Sequence, residues 1–146
     1  MVVALIALLA TTAASGGAGA MERIRTHQQQ ASLTQLFMLA RASAVFSHQP
    51  VTIDRSAGVW TLTDSQGAAL QRVNAPHAQW RGFRQLPLVF TPDGGASNGS
   101  LWICVPPYAA PRGLTLSRAG RLRRSLDSNH DGIHETGQGR AIDCSR

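Results

Sequence analysis

Between positions 25 and 46 the chain has no proline and no glycine, and Leu33, Leu36, Phe37, Ala40 and Ala44 recur at the spacing of one helix face. A long helix with one apolar face must lay that face on something. It must also stop before Pro50, because the residue preceding a proline avoids helical geometry. Beyond Pro50 the texture changes to short β signals: 51–54 and 58–63 around an Arg-Ser-Ala-Gly connection, then 86–90, 101–105, 114–117 and 121–125. One helix followed by such a run predicts an α+β fold, a long N-terminal helix packed on a mainly antiparallel sheet. The expected organisation is a hydrophobic helical segment over 1–20, an amphipathic helix over 21–49 and a β-rich head over 50–146. Trp60, Trp80 and Trp102 are read as core or sheet-face residues rather than a stacking platform.

In the opening "VVALIALLATTAASGGAGA", Val2 to Ala14 is apolar except for Thr11 and Thr12, shorter than the roughly 20 residues that cross a bilayer unaided. It reads either as a signal-peptide core ending at Ala18-Gly19-Ala20, though no basic region precedes it, or as the start of the following helix. In the second case Gly16, Gly17 and Gly19 predict a bend or a local melt. Cys104 and Cys144 lie outside any CxxC pattern. In an oxidising compartment one bridge between them would tie the C-terminal tail to an interior strand.

The chain has 14 basic residues, all arginine, and a formal net charge of +6. Their placement is more informative than their number. Arg112, Arg118, Arg121, Arg123 and Arg124 fall within one short stretch that has no acidic residue. In "LTLSRAGRLRRS" a three-residue loop, Arg118-Ala119-Gly120, closed by a left-handed glycine would pair Leu116 with Leu122 and turn both inward. Arg121 and Arg123 then share the outward face with Thr115 and Ser117, about 6.6 Å apart at roughly 3.3 Å per residue. Such a pair is either a solvated edge strand that resists sheet-to-sheet pairing or a fork for an anionic partner.

Taken in order, these stretches resemble the family shared by FimT of type IV pili and the H pseudopilin of type II secretion. "VVALIALLA" is similar to the helix that follows the prepilin cleavage site, and "LARASAVFSHQPVTI" to its exit into the first strand. "LVFTPDGGASNGSLWIC" resembles the family's strand, glycine-rich turn and cysteine strand; "LTLSRAGRLR" with a distant terminal cysteine resembles its hairpin and disulfide. The family's leader and Phe-Thr-Leu-x-Glu start are expected upstream of Met1, and its helix-kinking proline has no counterpart here. The resemblance implies a pilin-like minor subunit without enzymatic activity. Its helix would anchor singly in the bacterial inner membrane, its head would lie in the periplasm, and other pilin or pseudopilin subunits would be its partners. In FimT-type subunits a Gly-Arg-x-Arg motif is associated with sequence-independent binding of double-stranded DNA for natural transformation, and Gly120, Arg121, Leu122 and Arg123 match it. Arg118, Arg124 and Arg112 would widen the patch. The alternative task is a structural H pseudopilin at the tip of a type II secretion pseudopilus; a more distant one is an exported calcium-binding protein.

"DSNHDGIHE" supplies Asp127, Asn129, Asp131 and Glu135 with Gly132, the alternating oxygen pattern that opens a calcium loop. Its twelfth position is Gln138 instead of a bidentate glutamate. The segment therefore reads as a Ca2+ site or as a plain Asx-rich turn, and its acidic groups as a counter-charge to the nearby arginines. Glycine between His130 and His134 argues against a helical metal pair. The sequence has no nucleophile elbow, no paired catalytic carboxylates with a base and no phosphate-binding glycine loop, so neither an enzyme nor any other cofactor is expected.

Overall fold

The computed structural model describes residues 2–82 and 84–145, apart from the side chains of 2–16 and 18. Helix α1 spans Val2–Ser47. It ends where Pro50 requires, and Leu33, Leu36, Phe37, Ala40 and Ala44 are all buried, as their spacing predicts. The local melt expected at Gly16, Gly17 and Gly19 does not occur, since helical structure continues through them. A glycine keeps its backbone donor and acceptor, so it weakens an interior helix position by about 1 kcal/mol relative to alanine without removing a hydrogen bond. The membrane and filament-core role read for 1–20 rests on side chains that mostly lie outside the described residues. Among the described residues no helix is long and apolar enough to cross a membrane.

One helical turn after another, Glu22, Thr26, Gln30 and Thr34 are buried although polar. Thr26 and Thr34 direct their hydroxyls to the carbonyls of Glu22 and Gln30, four residues back. Gln30 Nε2 donates to the carbonyl of Gly113 at 3.0 Å, and Glu22 Oε1 accepts from the amide of Ala110 at 2.8 Å. These bonds fix the helix against the segment 110–113 with named partners, where apolar packing alone would permit sliding.

The head contains eight strands: β1 (Val51–Ser56), β2 (Val59–Thr63), β3 (Ala69–Asn74), β4 (Ala78–Gly82), β5 (Leu88–Phe90), β6 (Gly99–Ile103), β7 (Arg112–Leu116) and β8 (Leu122–Arg124). They form two four-stranded antiparallel sheets, ordered β3-β2-β1-β5 and β4-β6-β7-β8. The single sheet expected from sequence is therefore two, and β3 and β4 are additional strands. The β1–β2 connection is also tighter than expected. Ser56 pairs with Val59, and Ala57 and Gly58 both take positive φ, 48° and 80°, as a two-residue primed turn requires.

Both sheets contribute to one core under α1. Trp60, Ile53, Leu62, Leu88 and Phe90 come from the first sheet, and Leu101, Ile103, Leu114 and Leu116 from the second. Phe37 enters from the helix and meets Phe90 edge to face, with ring centroids 6.0 Å apart. Burying one such ring contributes roughly 1.5–3 kcal/mol. Trp60 is fully buried, while Trp80 and Trp102 are half-buried. Arg81 lies over the Trp102 ring, 5.1 Å from its centroid. The disulfide joins Cys104, just past β6, to Cys144 in the tail.

Candidate nucleic-acid interface at the hairpin tip

The β7–β8 hairpin takes the expected register. Leu116 pairs with Leu122 and Thr115 with Arg123. Its loop is Arg118-Ala119-Gly120: the amide of Gly120 donates to the carbonyl of Ser117 at 2.9 Å, and Gly120 sits at φ 66°. The amide of Ser117 then donates to the carbonyl of Arg121, and the amide of Arg121 returns a bond to Ser117 Oγ at 3.1 Å. A type I turn closed by a left-handed glycine, with one added residue on the strand, accounts for the two backbone bonds, and the Ser117 hydroxyl takes up the Arg121 amide. Leu116 is buried and Leu122 half-buried, while Arg118, Arg121, Arg123 and Arg124 are exposed. Arg124 pairs with Leu114, which gives it the parity of the leucines and sets it at the free edge of the sheet. Arg112 lies elsewhere. It opens β7 opposite Ile103, half-buried, roughly 13 Å of strand from Leu116 at 3.3 Å per residue.

The glycine-rich loop after β5 docks on this tip. Ala96 donates its amide to the carbonyl of Arg118 at 2.9 Å, and the carbonyl of Gly94 approaches Gly120 so closely that a Cβ there would stand 2.1 Å from it. Asp93 shapes the loop by accepting from the Thr91 hydroxyl and from the amide of Gly95. The Thr91 bond first, and the Gly95 bond second, hold its carboxyl below the ordinary aspartate range. A depressed folded-state pKa means that these bonds stabilise the loop above the unfolded value and are lost as pH falls through the folded one.

A groove of about 730 Å³ separates the tip from α1. Its floor is apolar, with Phe37, Met38, Val45 and Leu122, and it is bordered by Arg41, Arg121, Arg123 and Arg124 without any acidic residue. Sequence reading missed Arg41, because helical periodicity marks it only as a solvent-side position. Among the described residues none of these four arginines forms an ion pair.

The acidic segment 127–135 does bring its carboxylates together. Ligand oxygens of Asp127, Asp131 and Glu135 all lie within 4.8 Å of one another. Asn129 stands beside them, donating through Nδ2 to Asp131 Oδ2 at 2.9 Å and accepting the Asp131 amide on Oδ1. Asp127 accepts the amides of Asp131 and Gly132, and Glu135 accepts that of Ser128. Among the described residues these carboxylates bond to their own loop and make no ion pair with the arginines, although Glu135 lines a groove together with Arg121, Arg123 and Arg124. His134 does not join His130. Its Nδ1 lies 2.9 Å from the Ser125 carbonyl and 3.0 Å from Ser125 Oγ, which closes the loop onto the end of β8.

Among solved structures, the fold is similar to the type IV minor pilin FimU of Pseudomonas aeruginosa, with a TM-score of 0.61, 20% identity, and 73% of this chain and 92% of that one covered. The minor pseudopilin EpsH of the Vibrio cholerae type II secretion system gives a TM-score of 0.58 at 14% identity, covering 71% and 98%. No curated protein matches by sequence. The family model described as "Type II transport protein GspH" matches residues 29–120, which run from the packed half of α1 to the glycine of the hairpin tip. With that model spanning more than half of its length and the long helix on antiparallel sheets in place, the chain belongs to the GspH family of pilin-like subunits.

Proposed function

We propose that this minor pilin-type subunit holds DNA by its phosphate backbone through Arg121 and Arg123, as a step in DNA uptake. The observation that carries the reading is a turn that fixes two exposed guanidinium groups on alternate positions of an edge strand with no carboxylate paired to them. Each can bond phosphate oxygens through its planar fork, a contact that positions a duplex without reading its sequence. The N-terminal helix would anchor the subunit in the inner membrane and join it to neighbouring pilins, leaving the head in the periplasm. Arg118 and Arg124 extend the surface of the tip; Arg112, at the far end of β7, is left out of it.

The test is binding of the purified chain to random-sequence duplex at several salt concentrations, beside Arg121→Ala/Arg123→Ala. The wild type is expected to bind with a Kd of roughly 10⁻⁴–10⁻⁶ M at physiological salt and to weaken steeply as salt rises. The double variant, with an unchanged melting temperature, should lose about two units from the slope of log K against log salt, one per phosphate contact. A wild type that does not bind at low salt, or equal binding by both proteins, removes the DNA reading. A structural pseudopilin at the tip of a secretion pseudopilus then stands in its place.

For the acidic loop we propose a Ca2+ ion held by Asp127, Asp131 and Glu135, with Asn129 beside them. The supporting observation is the convergence of three carboxylates that would otherwise repel one another. Calcium at about ten times its Kd should raise stability by about 1.4 kcal/mol, and Asp131→Asn should abolish the increment. Identical melting in Ca2+ and in chelator would leave the loop a turn held by its own amides.

A further inference from the structure

Arg41 reaches the hairpin from α1. Its Nε and Cδ lie 3.1 and 3.3 Å from the position a Gly120 Cβ would occupy, and its Nε and Nη2 each lie 3.5 Å from the corresponding point on Gly94. The head group therefore rests on the seam where the Gly94 carbonyl meets Gly120, the residue before Arg121. It is exposed, and among the described residues it makes no hydrogen bond or ion pair. A guanidinium has five N–H donors in a rigid fork, so packing positions this one while its bonding capacity goes unused.

We infer that Arg41 is a phosphate-binding residue, and that the DNA site is a clamp between helix and hairpin instead of the hairpin alone. The inference rests on the DNA reading above and adds a contact from a different element. Both electrostatics and geometry support it. Four guanidinium groups border one groove that has no acidic lining, an arrangement that repels itself until a polyanion enters. Arg41 from the helix and Arg121 from the hairpin both line this groove beside Gly120, so a phosphate backbone lying in it would meet both.

The experiment measures duplex affinity of the full chain across a salt series for wild type, Arg41→Gln, Arg41→Lys and Arg121→Ala/Arg123→Ala. Arg41→Gln retains part of the side-chain stem and loses the charge. It should bind several-fold more weakly and lower the salt slope by about one, while Arg41→Lys keeps the wild-type slope. If both Arg41 variants bind with the wild-type affinity and slope while the hairpin variant loses binding, the clamp is overturned and the hairpin site survives. If Arg41→Gln and Arg41→Lys both lower the melting temperature and leave the slope unchanged, Arg41 is a packing residue and the inference likewise fails. A wild type without affinity for DNA overturns both readings.

Discussion

Replacing Cys104 and Cys144 together by serine is expected to lower the stability of the head by about 4 kcal/mol, the loop-entropy value for a bridge across 40 positions. The closed segment contains β7, β8 and the acidic loop, so the hairpin wall of the candidate site folds inside it. Other ties hold the tail as well: Asp143 has a partner, Glu135 bridges Ala141 and Gly137 lies against Thr115. Ile142 is buried, packs near Gly113 and donates its amide to the carbonyl of His134, but 137–141 is exposed. Without the bridge the unfolded chain gains the freedom of that loop, and the remaining tail contacts, present with or without the bridge, do not offset it. Denaturant unfolding of the double variant and of reduced wild type should give the same displaced midpoint, with a thermal shift on the order of 15 °C. A loss below about 1 kcal/mol in both would mean that Ile142 and the paired segments around Glu135 hold the tail unaided.

The parts of this fold that could be read from sequence are those whose signal is local. The buried face of α1, its end before Pro50 and the register of the hairpin all follow from spacing and from one glycine, and the structure has each of them. Strand β3 carries little such signal because only Val73 of it packs against the core. Of Ala69–Asn74 only Val73 is half-buried, so there is no alternation to find. Strand β4 is short, and Gly82 breaks its pattern. Division into two sheets depends on which strands pair at long range, and β5 and β6, neighbours in sequence, fall in different sheets. Arg41 is invisible for the same reason. Nothing near it in sequence distinguishes a solvent-facing helix arginine from one laid across the tip of a distant hairpin.

The tip depends on Gly120 for two separable reasons, and substituting it should affect both stability and binding. At φ 66° a side chain costs roughly 1–2 kcal/mol in backbone strain. A Cβ would in addition stand 2.1 Å from the Gly94 carbonyl and within 3.3 Å of the Arg41 side chain, and the first of these is backbone that cannot rotate away. Forcing the 91–96 loop off the hairpin also strains the bond from Ala96 to Arg118, so Gly120→Ala should cost about 2–4 kcal/mol in total. Gly120→Asn separates the two causes, because asparagine tolerates left-handed geometry yet carries the same Cβ. Equal losses for Ala and Asn identify the close approach as the larger cause; recovery with Asn identifies the backbone angle. Gly120 lines the groove with Arg41 and Arg121, so on the proposed clamp DNA affinity should fall in both variants even at temperatures where they remain folded. A Gly120→Ala protein that melts and binds like the wild type would show that the loop does not press on the tip in solution.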